Sequence, residues 1–143
     1  MFAVKGSRFI THMKRLADVH VGMANFFASG LLGLRDKLGP VLWQLPPTFA
    51  FDPDRLSSFF TQLPRSTVAA SALAADHDDR VPADRAVTTA EVDRPLRHAL
   101  EFRHASFATP AAASLCRDHD IALVTADLAG RLPLVYLPTA DFT

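Results

Sequence analysis

Apolar positions along this chain fall into short runs, and the spacing within each run predicts an element. Phe2–Ala3–Val4 reads as a short strand ending at Lys5–Gly6. From about Ala17 to Lys37 the pattern is helical: Val21, Ala24, Phe27, Ala28, Leu31, Leu32 and Leu34 recur at spacings of three, four and seven. Gly22, Gly30 and Gly33 weaken this helix, a break is expected near Ser29–Gly30, and Gly39–Pro40 punctuates its end. Val41–Leu42–Trp43–Gln44–Leu45 is a second strand, stopped by Pro46–Pro47 and apolar enough to be covered on both faces. Asp52 and Pro53 open a helix as N-cap and first helical residue. Leu56, Phe59, Phe60 and Leu63 form its stripe, Pro64 ends it, and Phe49 and Phe51 are expected to pack beneath it. Ser66 to about Ala75 is an alanine-rich helix, and His77 to Arg94 reads as a charged, proline-bearing loop.

The second half repeats the theme. In Ala99–Leu100–Glu101–Phe102–Arg103–His104, Leu100 and Phe102 alternate with Glu101 and Arg103, the period of a strand with two unlike faces. Thr109–Pro110 starts another helix, with Ala112, Leu115 and Cys116 on its apolar face. Ile121–Ala122–Leu123–Val124 is the next strand and ends at Thr125–Ala126–Asp127. Gly130 and Pro133 mark a loop, and Ala140–Asp141–Phe142 looks like the first residues of a further strand. Strands alternating with helices imply parallel βαβ units, because crossovers of this length do not suit hairpins.

Composition narrows the class. The chain has 143 residues, which suits one domain over 1–143, and 49% are apolar against 21% charged. Formal net charge is zero, so nothing global points to a nucleic-acid or membrane-surface partner. No apolar run approaches the roughly 18 residues of a spanning helix. The single cysteine, Cys116, cannot form an internal disulfide and reads as a buried, inert thiol, and a cytoplasmic location fits that count.

In parallel α/β architectures, ligands collect at the C-terminal ends of the strands. The first strand end offers Lys5, then Arg8 and His12; the second Gln44; the third Glu101, Arg103 and His104; the fourth Asp127. The loop Lys5–Arg15 carries Lys5, Arg8, Lys14 and Arg15 with Ser7 and Thr11 before the first acid, Asp18, which suits an anion site or a solvated surface loop. Gln44 either bonds core neighbours or faces a ligand. Lys5, Arg8 and Arg103 suit a phosphate or carboxylate, Arg103 by a bidentate fork. Glu101 or His104 suits general acid–base work, and Asp127 suits orienting a histidine or joining a metal site. The competing reading makes Glu101 and Arg103 a structural ion network. His77, Asp78 and Asp79 invite a metal reading, but their setting is that of a solvated loop. There is no Gly-rich phosphate fingerprint, Ser-centred elbow or metal-spaced histidine pair, and no cofactor is indicated.

Three stretches are more specific. Phe2-Ala-Val-Lys-Gly-Ser-Arg-Phe-Ile-Thr-His12, Leu38-Gly-Pro-Val-Leu-Trp-Gln-Leu-Pro-Pro47 and Ala99-Leu-Glu-Phe-Arg-His104 resemble the YecE-like family, also called domain of unknown function 72. The resemblance covers essentially the whole chain and implies a TIM-barrel-like fold with no assigned activity. Family members begin with two further strands, the first with a Gly-Thr-Ser-Gly-Trp-like motif. They also continue past the segment matching Ala140–Thr143 into an Arg-Leu-His-Gly-like strand end. Phe107 sits where a Trp is usual. A TIM barrel takes about 250 residues. The expectation is therefore a partial (β/α) barrel, a central piece that is truncated and inactive as it stands. The alternative expectation is an enzyme acting on a small anionic or phosphorylated substrate at the strand ends. Unpaired sheet edges in such a piece predict self-association.

Overall fold

The structure is a computed structural model that describes residues 2–125. Four strands form one sheet: β1 (Phe2–Lys5), β2 (Leu38–Gln44), β3 (His98–Phe102) and β4 (Ala122–Thr125), in the order β1-β2-β3-β4. Every neighbouring pair is parallel. Helices α1 (His20–Ala28), α2 (Pro53–Gln62), α3 (Thr67–Ala74) and α4 (Pro110–Asp118) fill the connections. Each crossover steps one strand in the same direction, so a single handedness gathers the helices on one face.

The caps that the sequence advertises are made. Asp52 accepts a hydrogen bond from the Arg55 amide, Ser66 from Ala69 and Thr109 from Ala112. Leu56, Phe59, Phe60 and Leu63 are buried along α2, and Ala112 and Cys116 along α4. Burial pushes the Cys116 thiol up to about 12, so it is inert at neutral pH.

Several expectations need correction. The stretch Ala17–Lys37 is two pieces, α1 and a 3-10 segment at Leu31–Lys37, parted at Ser29–Gly30, where Gly30 takes φ 125°. Its start slips to His20 because Arg15, Leu16 and Asp18 adopt φ of 51°, 66° and 55°, which no right-handed helix allows. The basic loop is not wholly irregular: Phe9–Met13 closes one π-helical turn. Gly39–Pro40 does not end a helix but lies inside β2, where the register against β1 shifts between Phe2 and Val4. That irregularity accommodates Pro40, which has no amide to give to the ladder. β2 is not covered evenly on both faces, since buried and half-buried residues alternate along it. Phe49 and Phe51 belong to the same core as the α2 stripe, and both also pack on Phe107, just past β3. β3 runs from His98 to Phe102, so Arg103 and His104 follow the strand, and β4 starts one residue late, at Ala122.

Register assigns the faces. Trp43, Leu100 and Leu123 share one row, and Trp43 meets Phe26 of α1 and Phe59 of α2 at 5.4 and 5.2 Å between ring centroids. Lys5, Leu42, Ala99 and Ala122 form a row on the opposite face, and Gln44, Glu101 and Val124 form the next row along it.

Candidate functional site

Strand β1 ends against the indole of Trp43. A Cβ at Gly6 would fall on that ring, so only glycine lets the chain turn there. The Gly6 amide donates to the Leu42 carbonyl at 2.7 Å, which holds Lys5 at the rim of the sheet. Ser7 then starts the π-helical turn. Its carbonyl accepts from Ile10 and Thr11, and its hydroxyl accepts from Phe9 at 3.2 Å. The turn sends Arg8 into solvent and brings His12 back, with Nδ1 hydrogen-bonded at 2.8 Å to the buried Thr11 hydroxyl. Arg15 stitches this loop to the one after β2. Its guanidinium donates to the Thr48 hydroxyl and carbonyl and lies over the Phe49 ring.

Burial holds His12 below the ordinary imidazole value, and Arg8, Arg103 and Lys5, in that order, add to the effect. These three cations come from two distant stretches of chain and act on one ring. At the end of β3, two strands away from β1, Arg103 Nε stands 3.9 Å from Glu101 Oε2. That distance makes an ion pair but exceeds a hydrogen bond. Both atoms are shielded from solvent, and neither has a hydrogen-bond partner among the described residues. Gln44 lies directly opposite Glu101 in the register and is half-buried.

The predicted residues thus divide. Lys5, Arg8 and Arg103 lie within electrostatic reach of His12, and Glu101 and Gln44 occupy the row next to that of Lys5. His104 is turned elsewhere. Its Nδ1 accepts from the Ser106 amide at 3.1 Å and bonds the Ser106 hydroxyl at 2.8 Å, capping the short turn Ala105–Phe107. An amide can only donate, so the neutral ring carries its proton on Nε2. Asp127 and the strand expected at Ala140–Phe142 lie outside the described residues. His77, Asp78 and Asp79 make no metal centre: among the described residues, no group of three His, Cys, Asp or Glu side chains could hold a metal ion. Asp78 instead bonds Asn25 and Arg80, whose backbone amide holds its carboxyl below the usual range. Among the described residues no helix is long and apolar enough to cross a membrane.

One buried polar residue escaped the sequence reading. His98 has no local signal: it is wholly buried, accepts from Trp43 Nε1 at Nδ1 (3.1 Å) and donates from Nε2 to the Pro64 carbonyl (2.7 Å).

Fold and rim together define a parallel α/β protein with a cationic cluster beyond the strand ends. The chain belongs to the DUF72 family, described as "Protein of unknown function DUF72", whose family model matches residues 1–143. The YecE-like resemblance is to this same family. No curated protein matches the chain. The crystal structure of a DUF72 family protein from Thermotoga maritima is similar over 98% of this chain, with a TM-score of 0.63 and 21% identity. The match takes in 45% of that protein, so the chain spans less than half of its relative's length.

Proposed function

We propose that the strand ends bind a small anion, phosphorylated or carboxylated, and that the sheet is one arc of a TIM-barrel-like (β/α) ring. The arc is supported by the sequential, all-parallel strand order. A doubly wound sheet would reverse that order at a switch point. The observation that carries the anion reading is the convergence of Arg8, Arg103 and Lys5 on His12. Neither Lys5 nor Arg8 forms an ion pair among the described residues, so their charge is left for a ligand. A purely structural role for Glu101 and Arg103 is disfavoured, because a structural pair would satisfy both partners.

In this reading Lys5, Arg8 and Arg103 hold the anion, and His12, kept neutral, adds a hydrogen bond. Glu101 is the group beside it able to take or give a proton. Gln44 orients the ligand from the facing position. In the whole barrel, His104 through its Nε2–H and Asp127 would complete the acid–base set.

Titration calorimetry of the chain with inorganic phosphate tests the proposal. Arg8→Ala and Arg103→Ala should each weaken binding by about tenfold, as expected for one lost charge-assisted contact, and the melting temperature should hold. A large fall in melting temperature with no detectable phosphate binding in the parent chain would refute it.

A further inference from the structure

Glu101 Oε2 and Arg103 Nε are shielded from water, without a hydrogen-bond partner among the described residues, and 3.9 Å apart. One is an obligate acceptor when ionised and the other carries a single N–H donor. A ligand that completes both must receive from Arg103 and give to Glu101 at the same place. A phosphate or carboxylate oxygen only receives, and beside a carboxylate it is repelled. A hydroxyl does both: its lone pair accepts the Nε–H and its own hydrogen goes to Oε2. The gap has the right span, since one oxygen about 2.8 Å from each atom fits a 3.9 Å separation. The pair lies near the surface, because the Glu101 and Arg103 side chains keep 16% and 33% of their area exposed, so a side-chain shift on binding is what uncovers the two shielded atoms to the hydroxyl.

We propose that the ligand is a hydroxylated anion, whose hydroxyl bridges Glu101 and Arg103 while its charged group lies on Lys5, Arg8 and His12. This rests on the anion reading above and names the class of anion. The pairing makes the site selective. A site that hydrogen-bonds a hydroxyl rejects the analogue lacking it, because its buried polar groups are then left unpaired. Glu101 also deters a second charged group from taking the hydroxyl's place.

The test is a matched pair of probes on the full 143-residue chain: glycerol 3-phosphate and n-propyl phosphate, with inorganic phosphate as the common reference. Glycerol 3-phosphate should bind about tenfold or more tightly than n-propyl phosphate. In Glu101→Gln that preference should shrink to less than about threefold, while inorganic phosphate binds more tightly because a repelling charge is gone. Equal binding of the two esters, with inorganic phosphate still bound, overturns this inference and leaves the anion reading intact; it is also the result expected if water bridges the pair. Failure of inorganic phosphate to bind overturns both. The comparison in the parent chain decides the matter even if the variant does not fold.

Discussion

Trp43 and His98 form a buried chain that ends on the Pro64 carbonyl, and its direction is fixed by chemistry. Indole can only donate, so His98 Nδ1 accepts and Nε2 carries the proton that reaches Pro64. Burial drives the His98 pKa from 6.5 down to about 4. The unfolded chain therefore binds the extra proton first as pH falls. This contribution to stability is whole above about pH 6.5 and is lost progressively as pH falls towards about 4. At ~1.4 kcal/mol per unit, the loss is on the order of 3 kcal/mol. Urea unfolding across that window should show it, and His98→Gln should flatten the slope. An unchanged slope would refute the assignment. His12, also held low, adds a change of the same sign. At this scale the sequence was partly legible. The alternation of Leu100 and Phe102 with Glu101 and Arg103 told which side chains are buried in the helix-side core. His98 was not legible, because its partner is a tryptophan 55 residues away, brought near only by the β2–β3 register.

Elements were legible where one residue type has one job. Asp52–Pro53, Ser66 and Thr109–Pro110 mark helix starts because a side-chain acceptor must meet free amides there. The loop after β1 was not, because the positive φ of Arg15, Leu16 and Asp18 leaves no glycine as a marker. Leu16 holds its place by burial, and Arg15 by its bonds to Thr48. Such backbone costs on the order of 1–3 kcal/mol per residue and persists only where surroundings over-determine it. Gly6 is the converse case. Its neighbour is the face of a rigid ring rather than a flexible side-chain end. Gly6→Ala should destabilise the chain by about 1–3 kcal/mol through overpacking, and should weaken phosphate binding by displacing Lys5 and the turn that carries His12. Thermal melts and calorimetry on one sample check both; a neutral melt would mean that the ring yields.

At the scale of the molecule, the helices serve one face and the candidate site sits at the rim of the sheet. β1 and β4 are the outer strands of the described sheet, and Phe2 on β1 is 59% exposed. An outer strand offers unpaired backbone groups, and zero formal charge supplies little repulsion between copies. Concentration-dependent association is therefore expected in sedimentation velocity near neutral pH; a single monomeric species across a hundredfold range of concentration would refute it. The parallel α/β class could be read from the alternation of elements. Convergence of the cluster could not, because it depends on which strands are neighbours, and periodicity within each element is silent about pairing between them.

The contact between Gly6 and Trp43 has an optical consequence. Trp43 is the chain's only tryptophan, so its emission comes from one known place. The indole is fully buried and stacked on the His98 imidazole, with ring centroids 6.2 Å apart. The ring lies against Gly6, in the backbone that carries Lys5 towards the rim. A single intrinsic fluorophore thus reports unfolding as a red shift, protonation of its imidazole neighbour as quenching, and movement of the β1 turn as a change in intensity, with no label attached.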